Sequence, residues 1–154
     1  MYPRVDAPSD FKYPEERQLK LQGMVSEDDI RNPLTKDHNG DLCRYVINHG
    51  LTTLTTIGRA TGFESFVCRY FANGGKRNSR EAVVFPYDND SGPFSRSEDS
   101  GSIIVDALGR FFALFTGGTG KTESSYITFG TPMHWLWQVI KDQFQGANLY
   151  EFFD

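Results

Sequence analysis

Between residues 42 and 130 the chain is cut into short apolar segments by turn residues, and this punctuation constrains its fold more than any other feature. Cys43-Arg-Tyr-Val-Ile47 ends at Asn48-His49-Gly50, and residues 52–60 are rich in Thr and Ile, which favour a pleated surface. Thr61-Gly62 reads as a turn, residues 64–71 as the next strand, residues 73–78 as a loop tip and residues 81–87 as another strand. Residues 88–93 form a long turn. Two strands then flank Asp106-Ala-Leu-Gly109, and residues 125–130 form the last strand. Short strands at regular spacing imply an all-β chain, an antiparallel barrel or sandwich.

The two ends differ from this middle. Near the C-terminus Thr131 reads as a helix N-cap, Pro132 as the first helical residue and Gly146 as the stop. Met133, Leu136, Trp137, Ile140 and Phe144 recur at three- and four-residue steps, a stripe that packs a helix on the barrel. Residues 1–41 read as an arm or linker, and residues 42–154 as the barrel with its helix. Residues 1–13 have no periodicity. Residues 14–21 suit one or two helical turns or a charged edge strand, and Ser26 with Asp29 caps a short helix stopped by Pro33.

Composition narrows the function. The net charge is −4 and there is no long basic run, which argues against nucleic acid as a partner. No apolar run reaches membrane-spanning length, and the first residues lack the apolar core of a signal peptide. The expectation is an intracellular, cytoplasmic protein with no membrane partner. Cys43 and Cys68 lack metal-ligand spacing and are expected as two buried free thiols. No metal site or cofactor is expected. Two motifs fall short of ligand sites. Thr116 to Thr122 nearly matches a phosphate-binding loop, but Phe115 replaces its first glycine and a strand pattern follows instead of a helix. Asp88-Asn-Asp90-Ser-Gly92 resembles the start of a calcium loop with its glycine one place early, and reads as a turn.

Residues 94–120 carry the chemistry. A polar loop, Phe94-Ser-Arg-Ser-Glu-Asp-Ser-Gly-Ser102, precedes a strand, a turn and a second strand ending in Thr116-Gly117-Gly118. Ser100 stands between an acid and a glycine, and a hydroxyl so placed is a nucleophile when a base lies nearby. The Gly117-Gly118 backbone offers an edge on which an extended peptide can pair.

This stretch resembles the nucleophile region of trypsin-like serine peptidases, Gly-Asp-Ser-Gly-Ser or Gly-Asp-Ser-Gly-Gly, and most of all that of intracellular fungal members. Asp99, Ser100, Gly101 and Ser102 match, and Glu98 stands where the family has glycine. Residues 46–50 followed by Thr52-Thr-Leu-Thr-Thr-Ile-Gly58 resemble the family's Lys-x-Gly…Thr-Thr-Gly-x-Thr-x-Gly hairpin, with Leu54 in place of a glycine. Thr128-Phe-Gly-Thr-Pro132 resembles the back wall of the primary specificity pocket. The resemblance spans residues 42–145. It implies the second, nucleophile-bearing half of a chymotrypsin fold, a six-stranded antiparallel barrel with a C-terminal helix. It also implies Ser100 as nucleophile, Asp99 and Glu98 as oxyanion-loop positions, and Thr116, Gly117, Gly118 and Thr128 as substrate-binding residues.

In that family the histidine and aspartate of the triad come from an upstream barrel, and residues 1–41 are too few to form one. His38 reads as a solvated turn residue, His49 as a strand-end residue and His134 as a half-buried or capping residue of the helix. None has a sequence context that places it beside Ser100. A carboxylate at Glu98 disfavours negative charge developing nearby. Two expectations follow. One is a serine-peptidase-like chain, pseudoenzyme or fragment, inactive alone. The other is a protein-binding module that uses the exposed barrel face and the Gly-Gly edge, with a first barrel, a peptide or a second copy as partner.

Overall fold

The computed structural model describes residue 15 and residues 18–149. The expected loose arm over residues 1–13 lies outside them. Seven strands follow a short helix, α1 (Glu27–Arg31): β1 (Thr35–Lys36), β2 (Leu42–Gly50), β3 (Leu54–Tyr70), β4 (Lys76–Pro86), β5 (Ile103–Asp106), β6 (Phe111–Thr119) and β7 (Ile127–Pro132). Helix α2 (Met133–Gln143) comes last. The sheet order is β1-β2-β3-β4-β7-β6-β5, and β5 pairs back onto β2 through Val46↔Asp106, Ile47↔Val105 and Asn48↔Ile104. That pairing closes six antiparallel strands into a barrel, which removes most of the free edges that an open sheet exposes.

Two apolar layers follow from strand alternation. Val46, Val84, Phe94, Ile104, Phe112 and Phe115 meet in one cluster. Tyr45, Ile47, Val105 and Phe111, from the opposite face of their strands, form a second cluster with Met133 of α2. Leu19, Leu21 and Met24 of the arm, with Leu136, pack against this second cluster. Both faces of β2 are therefore buried over residues 45–47.

The arm is held by backbone and by charge. Gln22 N–H donates to the Gly109 carbonyl, Val25 N–H to the Phe111 carbonyl, and Phe111 N–H to the Gly23 carbonyl. Gly109 has φ +79°, and the Lys20 carbonyl leaves no room there for a Cβ. Buried Asp106 accepts from Arg44 Nη1 at 3.0 Å and Arg110 Nε at 2.9 Å, and Arg110 reaches Asp29 of α1 at 3.2 Å. Ser26 caps α1 as expected, its hydroxyl accepting from Asp29 N–H. The helical turns expected at residues 14–21 do not appear at residues 18–21, whose chain instead leads across the Gly109 turn.

Several boundaries differ from the sequence expectation. Thr61-Gly62 does not end a strand, because β3 runs through it with a bulge between Ala60 and Glu64. Gly62 sits at φ +84° against the Arg31 carbonyl, so it bends the strand around α1 without breaking it. Beyond that bulge β3 and β4 project as a two-stranded ribbon. Cys68 lies on the ribbon and is exposed, which corrects the expectation of two buried thiols. Helix α2 begins one residue later than expected, with Pro132 as its N-cap, because β7 stays paired with β6 through Thr131 and Pro132; the Thr131 hydroxyl donates to Glu81. Leu136, Trp137 and Ile140 are half-buried, while Phe144 lies beyond the helix and is exposed.

Leu54 is the one non-glycine residue in the left-handed region among the described residues, at φ +56°, and its side chain is 63% exposed. It occupies the place where the resembled hairpin carries glycine. Left-handed backbone costs an L-residue roughly 1–2 kcal/mol, partly offset because glycine frees the unfolded chain. Leu54→Gly is therefore expected to raise unfolding stability by about 0.5–1 kcal/mol. A urea midpoint that stays put or falls would show that the turn relaxes in another way.

Candidate functional site

The serine loop is built around one carboxylate. Residues Ser97–Asp99 form a 3₁₀ turn that aims Asp99 inward, where it is 2% exposed. Its oxygens accept from Thr52 N–H at 2.7 Å, Thr53 N–H at 3.3 Å, the Thr53 hydroxyl at 2.7 Å and Arg96 N–H at 3.0 Å. Gly50 makes space for it, since a Cβ there would lie 2.3 Å from the carboxylate carbon. Burial alone would raise the Asp99 pKa, but the Thr53 hydroxyl and the three N–H donors outweigh it and hold the group below its ordinary value. Asp99 thus ties the β2–β3 turn to the loop.

Ser100 and Glu98 are exposed. The Ser100 hydroxyl has no hydrogen-bond partner among the described residues, and its backbone N–H donates to the Ser97 carbonyl at 3.3 Å. Gly101, at φ +92°, turns the chain so that its N–H meets the Phe115 carbonyl, and Ser102 O accepts from Phe115 N–H. The Ser102 hydroxyl donates to Asn48 Oδ1 at 2.6 Å, which pins the loop to β2. These bonds set Ser100 beside the start of the glycine strand.

That strand carries the other expected residues. Gly117 pairs with Phe129 and Gly118 with Thr128, after a register shift between Phe115 and Gly117. A Cβ on Gly118 would strike the Tyr126 ring, whereas Gly117 faces open space. The Thr116 carbonyl accepts from Arg69 Nη2 at 3.0 Å, and the Thr116 hydroxyl lies 3.3 Å from Glu81 Oε2. Between the serine loop and residues 120–126 lies a pocket of about 300 Å³ that includes Ser95, Glu98, Lys121 and Tyr126 in its lining. Thr128 is fully buried, and its hydroxyl meets that of Ser95 at 2.7 Å. Arg96 and Glu123, also lining the pocket, form an exposed ion pair at 2.6 Å.

No histidine joins Ser100 by a hydrogen bond among the described residues. His38 is exposed beside the Asn39-Gly40 turn. His49 Nδ1 lies 2.8 Å from the Thr55 hydroxyl. His134 is half-buried on α2, where burial lowers its pKa, and it lines a different cleft together with Glu81. Cys43 offers no alternative nucleophile, since burial and the Asp37 charge push its thiol up to about 11. The described residues contain no cluster of acids, histidines and cysteines able to hold a metal. No helix among them is long and apolar enough to cross a membrane.

Sequence reasoning missed three features here. The Thr52 and Thr53 donors lay within the resembled hairpin, so that motif held the signal for Asp99's partners. The Arg96–Glu123 pair spans 27 positions and left no local pattern. Glu81, bonded at once to Thr116 and Thr131, looked like an ordinary polar residue within a strand.

No family model matches the chain, and no curated protein does. Among solved structures, the chain is similar to a chymotrypsin from Cellulomonas bogoriensis, with 20% identity and a TM-score of 0.50. The match covers 71% of this chain and 50% of that one, so the chain spans about half of the chymotrypsin's length. The fold is that of a chymotrypsin half: an antiparallel barrel followed by a helix.

Asp99→Asn leaves the loop's donors without a charged acceptor. It is expected to cost about 1–3 kcal/mol, the scale for disrupting a buried charged hydrogen-bond network. Because the folded pKa is depressed, this contribution is full above the unfolded value near 3.8 and is lost as pH falls through the lower folded value. The gap in melting temperature between the wild type and Asp99→Asn should therefore be open at pH 7 and close below pH 3.8. A gap unchanged at acid pH would show that the carboxylate's charge is not what holds the loop.

Proposed function

We propose that this chain is a serine-peptidase-like barrel, the nucleophile-bearing half of a trypsin-like framework, and that by itself it does not hydrolyse peptide bonds. The single observation that carries this reading is the state of Ser100. Its loop is ordered by Asp99 as a nucleophile loop would be, yet its hydroxyl meets no base among the described residues and its N–H is engaged by the Ser97 carbonyl. Attack by Ser100 Oγ on a carbonyl carbon requires the hydroxyl proton to move to an acceptor and the carbonyl oxygen to gain donors as it becomes negative. Among the described residues no acceptor bonds the hydroxyl, and the Ser100 N–H is already engaged. Glu98 adds a carboxylate where negative charge would develop. In this reading Thr116, Gly117, Gly118 and Thr128 keep the form of a substrate site, and a His/Asp-bearing barrel is the partner needed for chemistry. The resemblance to intracellular fungal members supports a cytoplasmic setting for it.

Loss of triad members lowers turnover by up to on the order of a millionfold. Purified chain, treated with a fluorophosphonate probe and read by intact mass, is expected to remain unlabelled and to leave unfolded casein intact. Labelling that disappears in Ser100→Ala, or casein cleavage abolished by that substitution, would overturn the proposal.

A second reading, a protein-binding module, is favoured by a separate observation. A cleft of about 690 Å³ opens on the far side of Thr116, against the projecting β3–β4 ribbon.

A further inference from the structure

That cleft is bounded by a strand edge that no described strand pairs. β4 bonds β7 only at Ala82, Val83 and Val84, yet it stays paired with β3 down to Lys76. β7 turns away after Gly130 and continues on β6 through Thr131↔Leu114 and Pro132↔Ala113. Residues 76–81 of β4 therefore present one backbone edge with no strand beside it among the described residues. A run of that length extends about 20 Å. Across the gap stand Pro132, His134 and Trp135 at the start of α2. The gap has the shape of a slot for one more strand.

The side chains around the slot select its occupant. Arg69 and Arg77 face each other in register across β3 and β4, and Arg80 follows on the same strand. Like charges directly opposite destabilise a two-stranded ribbon. Arg80 is offset by Glu27 and Glu64, and Arg69 donates to the Thr116 carbonyl, but Arg77 has no ion pair among the described residues. The acid lining the slot, Glu81, is 4% exposed and is held by the Thr116 and Thr131 hydroxyls. Trp135 and Phe71, each 51% exposed, add apolar walls. A second copy pairing edge to edge would bring two sets of these cations together. An extended segment bearing carboxylates would neutralise them.

We propose that this slot is a strand-addition site for an extended, acidic peptide segment of another protein. Its backbone pairs with residues 76–81 of β4, its carboxylates meet Arg77 and Arg69, and an aromatic or aliphatic side chain rests on Trp135. The site uses neither Ser100 nor the pocket beside it, so it stands or falls separately from the peptidase-like reading.

The test is selection of a random displayed dodecapeptide library on the intact chain, followed by fluorescence anisotropy with the enriched peptide synthesised and labelled. Enrichment of sequences with carboxylates at alternating positions and an aromatic residue is the expected result. Arg77→Glu and Trp135→Ala, both exposed positions whose folding is checked by circular dichroism, should each weaken binding by roughly tenfold or more. Methylating alternate peptide amides should abolish it, and Ser100→Ala should leave it unchanged. No enrichment, a basic or charge-neutral consensus, or an affinity indifferent to Arg77→Glu would overturn the proposal. So would sedimentation of the chain alone as a dimer that Arg77→Glu dissociates, which would assign the slot to a second copy.

Discussion

The Asp99 carboxylate is the interaction on which the serine loop depends. A buried carboxylate is tolerated only when donors surround it, and here four come from two segments far apart in sequence. The β2–β3 turn must present two consecutive N–H groups and a hydroxyl. The loop must bend through a 3₁₀ turn to deliver the acid. Gly50 must lack a side chain. Each requirement constrains another, so the loop cannot shift without stranding the charge. Leu54 fits the same logic, since a turn this constrained dictates backbone angles even to a residue that disfavours them.

In the proposed reading, the same loop keeps a site's form without its chemistry. Fixing the acid inward orders the chain around Ser100, but it does not by itself free the Ser100 N–H. That group depends on which way the carbonyl at Ser97 points. A single peptide orientation therefore separates a donor ready for an oxyanion from one already engaged. The base is a second, independent requirement, and no described residue of this barrel hydrogen-bonds the Ser100 hydroxyl.

Much of the fold was legible because strand punctuation and alternation are local. Asp106-Ala-Leu-Gly109 read correctly as a turn, the Thr-rich segment at residues 52–60 forms strand from Leu54 onward with Thr52 and Thr53 in the turn before it, and Ser26 marked its helix. Thr61-Gly62 misled, because a glycine at positive φ fits a bulge as well as a turn, and only α1 packed against it decides between them. Thr131 misled because β7 stays paired with β6 through Pro132, which delays the helix by one residue. The serine loop could be placed by resemblance, and its glycine-for-acid exchange at Glu98 could be seen. The cleft could not. Its walls come from β3, β4, β6, β7 and α2, and it exists because β7 leaves β4 after Gly130, a tertiary event with no local signature.

Barrel closure explains why this cleft stands out. Pairing β5 with β2 satisfies the ends of the sheet, and the arm and α2 cover the second apolar cluster. The part left uncovered is the β3–β4 ribbon beyond Ala60 and Ala82, where Phe63, Phe66 and Tyr70 are 68%, 81% and 80% exposed. An isolated two-stranded ribbon is marginal in water, because too little apolar surface is buried to offset the entropy of ordering it. This one is anchored at its base by Arg31 and Arg80 on Glu64, and farther out by Arg69 on the Thr116 carbonyl. Those contacts are exposed or half-exposed and individually weak. A third strand laid along residues 76–81 would supply what the ribbon lacks, a second row of backbone bonds and cover for Trp135 and Phe71. The ribbon's exposed surface and its fitness as a template thus meet at the same unpaired edge.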